Sequence, residues 1–421
     1  MSEAGAGAGR REGFVPMLVR QARRDLAQAP ATVRRRLSHG SRAQRAGNVA
    51  ELRELAARRL PRAVFDYVDG AAGDELTAAR NQSDLRALSI VPRVLAGADV
   101  DLSTEVLGQR IAVPLIGAPT GLTGLVHHLG EVAVARAVHA AGSLYVLSSA
   151  GSCGIDELAR RSPGPLWFQI YVGPDRGLVR SLVDRARDAG YGALMVTVDV
   201  ARAGARERDR RNGFTMPPRV TARSLAQGLR HPRWSIDFVA RPRILSQSAL
   251  LAGAADGGAR PLAEMIGSQF DPALSWSDIA WLQECWDGPI VLKGVLRPAD
   301  AQQAARLGIA GVVVSNHGGR QLDSAPSTIA ALPPIVDAVG AELEVYMDGG
   351  IRRGVDVLKA LALGARACLC GRALLYGLAG GGFAGAARAM RLLVDELALA
   401  MALAGAGSPS ELDRSWIMGA D

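Results

Sequence analysis

Between Ser315 and Asp323 the chain reads Ser-Asn-His-Gly-Gly-Arg-Gln-Leu-Asp. His317 can move a proton near neutral pH, and Arg320 offers a planar fork of donors to a carboxylate or phosphate. Gly318 and Gly319 between them let the backbone turn sharply and approach a ligand closely. The preceding Gly311-Val312-Val313-Val314 is short and β-branched, which reads as a buried strand ending where the polar residues begin. Taken alone, the same residues would also suit a turn with a surface His and Arg. What decides between the two is whatever else the fold brings to that strand exit.

Seven further apolar runs share this form, at 113–117, 144–147, 166–170, 193–198, 290–292, 343–347 and 367–370. Segments with helical patterning at 130–141, 176–189, 298–307 and 353–363 are long enough for right-handed crossovers between parallel strands. Eight such units predict an α/β fold, a (β/α)8 TIM barrel with an N-terminal helical extension and a long insertion after strand 4. A doubly wound sheet competes, but Ala118-Pro119-Thr120-Gly121 after the first run is not the Gly-rich dinucleotide loop that fold normally carries. In a barrel, reactive groups gather at the C-terminal ends of the strands. Thr120, Ser148, Gln169, Tyr171, Thr197, Asp199, Lys293, His317, Asp348 and Arg372 all fall there.

Gly349-Gly350 after the seventh run and Gly371-Arg372 after the eighth, with Arg352 nearby, form the expected phosphate cradle of such a barrel. The chain has two lysines, Lys293 and Lys359, beside abundant arginine. Lys293 at a strand exit suits an anionic cofactor or intermediate, whereas Lys359, within the helix at 353–363, is expected in solvent. Asp199 could fix the tautomer of His317, or form a structural bridge to an arginine. Tyr67, in Phe65-Asp66-Tyr67, reads on its own as core packing.

The chain of 421 residues is 48% hydrophobic, ample for a packed core. Its four cysteines, at 153, 285, 368 and 370, lack CxxC spacing, so neither disulfides nor a metal site is expected and the reading is cytoplasmic. No apolar run reaches the roughly 20 residues of a membrane span. The net charge of +8 is concentrated at the start, where residues 1–50 carry ten arginines against Glu3, Glu12 and Asp25. Without an aromatic-interleaved basic face this argues against nucleic acid. Residues 1–46, with one short helical pattern at 14–27, are read as a basic appendage, and 47–421 as the barrel. The spacing of the runs breaks once, leaving an insertion at about 215–275. Arginines at 219, 223, 230, 233, 241 and 243 beside Trp234 and Phe238 would suit an anionic membrane surface through 215–250, or a solvated loop over the site.

The stretch from Ser315 to Asp323 resembles the active-site signature of the FMN-dependent 2-hydroxy acid dehydrogenases and oxidases. The resemblance runs from about residue 49 to 403. It includes Phe65-Asp66-Tyr67, Pro92-Arg93, Ala118-Pro119-Thr120, Trp167-Phe168-Gln169-Ile170-Tyr171, Thr197-Val198-Asp199, Leu292-Lys293-Gly294 and Asp348-Gly349-Gly350-Ile351-Arg352. It implies FMN as cofactor and oxidation of an (S)-2-hydroxy acid to the 2-oxo acid. His317 would be the base with Asp199 as partner, Arg206 and Arg320 would hold the substrate carboxylate, and Tyr67 and Tyr171 would contact substrate. Lys293 would face the pyrimidine edge of the flavin and stabilise its reduced anion. Pro119, Thr120, Gly121, Ser148, Gln169, Thr197 and Ser315 would surround the ring, and Asp348, Gly349, Gly350, Arg352, Gly371 and Arg372 its ribityl phosphate.

Within that family, the stretches from Ala118 to Leu122, from Ala205 to Asp209 and from His231 to Trp234 are most similar to the branch of mandelate dehydrogenases and bacterial respiratory lactate dehydrogenases. That implies a homotetramer passing electrons to quinone at the inner face of the cell membrane. The alternatives are an oxidase that uses oxygen and releases hydrogen peroxide, and an FMN barrel acting on a modified peptide or another alcohol. Gly121 and Ala150-Gly151 stand where some members that act on small acids carry larger side chains, which implies a roomier pocket. Ala201 departs from the proline frequent after the Val-Asp pair.

Overall fold

The computed structural model describes residues 42–97, 99–213, 215–216, 227–240, 260–261 and 270–418. Most of the basic N-terminal stretch, including the helix expected at 14–27, and much of the insertion lie outside the described residues. Within them the expected barrel is present: eight parallel strands close on themselves in chain order. They are β1 (Leu115–Gly117), β2 (Tyr145–Ser148), β3 (Leu166–Ile170), β4 (Ala193–Thr197), β5 (Ile290–Val295), β6 (Gly311–Val314), β7 (Glu344–Met347) and β8 (Cys368–Cys370). Strand ends differ from the apolar runs by a residue or two, except β5, which continues past its polar exit to Val295.

Alternation of side chains along each strand divides the core in two. One set, including Ile116, Val146, Trp167, Met195, Val291, Val313, Tyr346 and Leu369, clusters separately from the helix-facing set that includes Leu147, Phe168, Leu194, Leu292, Val312 and Val314. Trp167 on β3 meets Tyr346 on β7 edge to face at 5.8 Å. Those strands are not neighbours, so the first set fills the barrel interior. A hairpin of Thr104–Val106 and Gln109–Ile111 closes the N-terminal end, with Val106 and Ile111 joining the interior cluster. Leu107 N–H donates to Glu344 at the start of β7.

Among the described residues four helices precede the barrel: a single turn at Arg42–Arg45 with Ala43 buried, then α1 (Val49–Arg59), α2 (Arg62–Asp69) and α3 (Leu76–Ala87). Asn48 caps α1 by accepting from Glu51 N–H at 2.9 Å, as its position before the apolar stripe predicts. Lys359 departs from expectation: it is buried, and its ammonium donates to Leu85 O at 2.6 Å. The last carbonyls of α3 lack partners within their own helix, and the lysine stem reaches one of them. Burial pushes the Lys359 pKa down, opposed in part by Asp356.

The final helix, Arg372–Ala404, starts directly after β8, so its N-terminus faces the mouth of the barrel. It breaks at Gly381 and Gly382, and Gly382 adopts φ 59°, ψ −142°, a combination open to glycine almost alone. The break brings Gly377 against the backbone carbonyl of Gly385, where a Cβ would overlap it. We expect Gly377→Ala to destabilise the fold by about 1–3 kcal/mol, seen as a lower unfolding midpoint in urea; an unchanged midpoint would mean that the two backbones can separate freely.

Candidate active site

The turn His317–Gly319 follows β6 and is held from outside the barrel. Asn316 and Asn81 of α3 exchange two amide hydrogen bonds, each of 2.8 Å, and Asn316 Oδ1 also accepts from Gly319 N–H. Gly319 packs so closely on α3 that a Cβ would lie 2.6 Å from Ala78 N. These contacts hold His317 at φ 58°, uncommon for a residue with a side chain.

His317 Nδ1 lies 3.1 Å from Asp199 Oδ1. Of the two partners considered for Asp199, histidine or a structural arginine, the geometry selects the histidine. Burial alone would raise the Asp199 pKa, but the charges of His317 and Lys293 hold it below the usual carboxylate range. The approach of β5 depends on Gly294, which bulges out of the ladder at φ 111°; a Cβ there would lie 2.6 Å from Asp199 Cβ. Gln321 Nε2 donates to the carbonyls of Asp199 and Arg202, and its Oε1 accepts from Gly204 N–H, stapling the loop after β4 to the His317 turn.

Lys293 Nζ lies 3.0 Å from both Asp348 Oδ2 and Ser315 Oγ. Burial disfavours its charge, yet Asp348 and Asp199 together push its pKa up. Asp348 Oδ1 is buried with no hydrogen-bond partner among the described residues. Ser148 Oγ donates to Gln169 Oε1 at 2.6 Å and Gln169 Nε2 to Thr197 Oγ1 at 2.9 Å, a polar strip across β2, β3 and β4 that ends at Thr197, the strand partner of Lys293.

Arg320 donates to the carbonyls of Tyr67 and Gly70, and Arg372 to those of Val68, Gly70 and Gly318. The Tyr67 ring lies 5.2 Å from the Arg320 guanidinium and 6.0 Å from that of Arg206. Burial lowers the pKa of Arg320, and the neighbouring Arg206 lowers it further. Arg372 is pushed down to about 10 by burial and then by Arg320. Tyr67 and Tyr171 are both raised by burial.

One cleft at the C-terminal mouth is lined by Tyr67, Pro119, Thr120, Gly121, Gln169, Tyr171, Thr197, Arg206, Lys293, His317, Arg320, Asp348, Gly349, Gly350, Arg352, Gly371 and Arg372. The remaining expected site residues, Ser148, Ser315 and Asp199, stand behind it, each hydrogen-bonded to a residue that lines it. Sequence reasoning missed Asn81, Asn316 and Gln321, which position the others, and Val200 and Phe270, which also line the cleft. Asn316 and Gln321 sit inside the signature stretch, but nothing around Asn81 or Phe270 marks them.

A cleft holding four half-buried guanidinium groups and one buried ammonium is built to receive anions. Residues 56–419 match the family profile described as FMN-dependent dehydrogenase. The chain belongs to that family. An L-lactate dehydrogenase of Caulobacter sp. (strain K31) is 44% identical over 371 residues, covering 87% of this chain and 97% of the relative. One from Caulobacter vibrioides (strain NA1000 / CB15N) is 46% identical over 361 residues, covering 85% and 94%. Among solved structures, the monotopic membrane protein (S)-mandelate dehydrogenase superposes with a TM-score of 0.83 at 37% identity, over 89% of this chain and 99% of that one. A mandelate oxidase with (S)-4-hydroxymandelic acid superposes with a TM-score of 0.78 at 37% identity, over 87% and 97%.

FMN is the cofactor of this FMN-dependent dehydrogenase, and the residues present fit it. An isoalloxazine ring needs amide, hydroxyl and cationic partners along its polar edge, which the Gln169–Thr197 strip and Lys293 supply. A phosphate needs arginines, glycines with their backbone exposed and a helix N-terminus. Arg352, Arg372, the left-handed Gly349-Gly350 pair at φ 87° and 84°, and Gly371 at the start of the final helix offer all three.

Because Asp199 lies below its ordinary pKa, the stability its charge adds is fully present above about pH 3.9 and is lost as pH falls through the lower, folded value. Asp199→Asn should therefore flatten part of the fall in unfolding temperature at acid pH relative to the native chain. Superimposable acid limbs would show that the pair with His317 adds nothing to folding.

Proposed function

We propose that this chain oxidises (S)-2-hydroxy acids to 2-oxo acids and passes the electrons to a quinone. The observation that carries this reading is the placement of two guanidinium groups, Arg206 and Arg320, beside a His317–Asp199 pair in one partly desolvated cleft. A free carboxylate satisfies the first pair, and a proton on the adjacent carbon or hydroxyl suits the second. Its relatives support the reading, since they are L-lactate dehydrogenases and (S)-mandelate dehydrogenase.

The roles follow from position. Arg206 and Arg320 orient the substrate carboxylate, and Tyr67 and Tyr171 bracket it with neutral hydroxyls. His317 accepts the proton, and Asp199 stabilises the imidazolium that results. FMN, when bound, takes up the two electrons. Thr120, Gln169 and Thr197, with the Pro119-Thr120-Gly121 backbone, would enclose its ring, backed by Ser148 and Ser315. Lys293 offers a positive charge at the ring's polar edge, while Gly349, Gly350, Arg352, Gly371 and Arg372 hold its phosphate. Asp348, assigned to the phosphate from sequence, is paired with Lys293, so we place it beside the ring and ribityl chain, where it fixes the ammonium.

Quinone as acceptor goes with contact at a membrane surface. The insertion helix Pro232–Ala240 docks through Trp234 Nε1, which donates to Leu125 O, and through an Asp237–Arg59 bridge of 3.0 Å. It leaves Ile236 exposed, as is nearby Leu229, with Arg230 and Arg233 beside them. Among the described residues no helix is long and apolar enough to cross a membrane. We place this face on the inner surface of the cell membrane, with residues 1–46 as a basic appendage and the barrel as a homotetramer. The solved mandelate oxidases favour a second reading, with oxygen as acceptor.

Purified protein should be yellow, and anaerobic (S)-lactate or (S)-mandelate should bleach it; colour that no 2-hydroxy acid discharges would rule the reading out. His317→Gln should keep FMN bound and slow reduction by about 10²–10⁴-fold, and reduction at the native rate would remove His317 from its role.

A further inference from the structure

Given the reading above, on which this inference rests, the substrate's carboxylate, its hydroxyl and its α-hydrogen are assigned to polar groups or to the flavin. Its side chain must face what is left of the cleft wall. On the side of Tyr67 and Tyr171 that wall includes Gly121, Ala150, Val200 and Phe270. Gly121 and Ala150 form one side as small residues packed closely together. A Cβ at Gly121 would lie 3.3 Å from Ala150 Cβ and 3.5 Å from Tyr67 Oη. Phe270 is buried, with its ring edge-on to Tyr171 at 5.0 Å between centroids.

Phe270 belongs to the returning end of the insertion, and the next residue is anchored. Arg176, at the start of the helix Arg176–Asp188 that follows β3, lies 2.9 Å from Asp271 Oδ2 and 2.6 Å from Asp278 Oδ1. It also donates to Gly173 O in the loop that carries Tyr171. One guanidinium thus ties together the Tyr171 loop, the end of the insertion and the helix Trp276–Cys285. Asp271 Oδ1 accepts from Ala273 N–H, which fixes the turn after Phe270.

We propose that Phe270 closes the far end of the substrate side-chain subsite and sets the length of acid the enzyme accepts, with Arg176 and Asp271 as the positioning residues that hold it there. The site then takes apolar 2-hydroxy acids whose side chain fits between the Gly121–Ala150 wall and the Phe270 ring. An acid with a longer chain meets that ring.

The test compares kcat/KM for (S)-2-hydroxyoctanoate with that for (S)-lactate in the native protein, Phe270→Ala, Phe270→Leu and Asp271→Asn. FMN per chain is measured by absorbance in each. Phe270→Ala should raise the octanoate-to-lactate ratio by at least about 10-fold, as several methylene contacts are at stake. Phe270→Leu and Asp271→Asn should move it the same way by less, chiefly through KM, with FMN retained. Loss of activity on both acids in equal proportion would point to a structural role alone and overturn the proposal, as would a ratio within two-fold of native in FMN-loaded Phe270→Ala and Phe270→Leu. If no acid reduced the native protein, the failure would lie with the parent reading.

Discussion

The mouth of this barrel depends on one electrostatic arrangement, the seating of half-buried guanidinium groups on the free carbonyls of a helix C-terminus. The last carbonyls of α2 have no partners within the helix and carry the negative end of its dipole. Those of Tyr67, Val68 and Gly70 accept from Arg320 and Arg372, which come from strand exits some 250 to 300 residues further along the chain. Without that seat, two cations depressed by burial and by a neighbouring arginine would have to be housed by carboxylates, which would cancel the positive field the site needs. Neutral carbonyls hold the arginines in place and leave their charge available to anions.

Carboxylates are used sparingly in the cleft, and each has a cation in front of it. Asp199 faces His317 and Lys293, Asp348 faces Lys293, and Asp209 lies 3.7 Å from Arg206. Burial raises the Asp209 pKa despite the two neighbouring arginines. The result is a cleft with two arginines in each half. Arg352 and Arg372 stand in the half near Gly349, and Arg206 and Arg320 in the half near Tyr67. A phosphate and a carboxylate, bound side by side, want that distribution.

The strands were legible because barrel strands are buried on both faces, so each reads as a continuous apolar run ending in the residue that does chemistry. The signature from Ser315 to Asp323 was legible because its functional groups are close in sequence. What escaped were residues whose significance lies in distant partners. Asn81 meets Asn316 across 235 positions, and Gln321 staples a loop 117 positions away. Phe270 stands at the end of an insertion with no periodicity to place it. Lys359 was misread for the same reason: its helix position says nothing of the α3 carbonyl waiting opposite. The β5 bulge was invisible because Gly294 looks like any other turn glycine.

The reciprocal amide pair between Asn81 and Asn316 bears on how portable this active site is. A minimal barrel begun at Ile111 would retain all eight strands, every barrel helix and the whole signature loop. It would lose the amide that fixes the loop, the helix surface on which Gly319 rests and the carbonyl seat of both arginines. The self-contained module is therefore larger than the barrel, and grafting this chemistry onto another (β/α)8 scaffold would mean carrying α2 and α3 along with the loops.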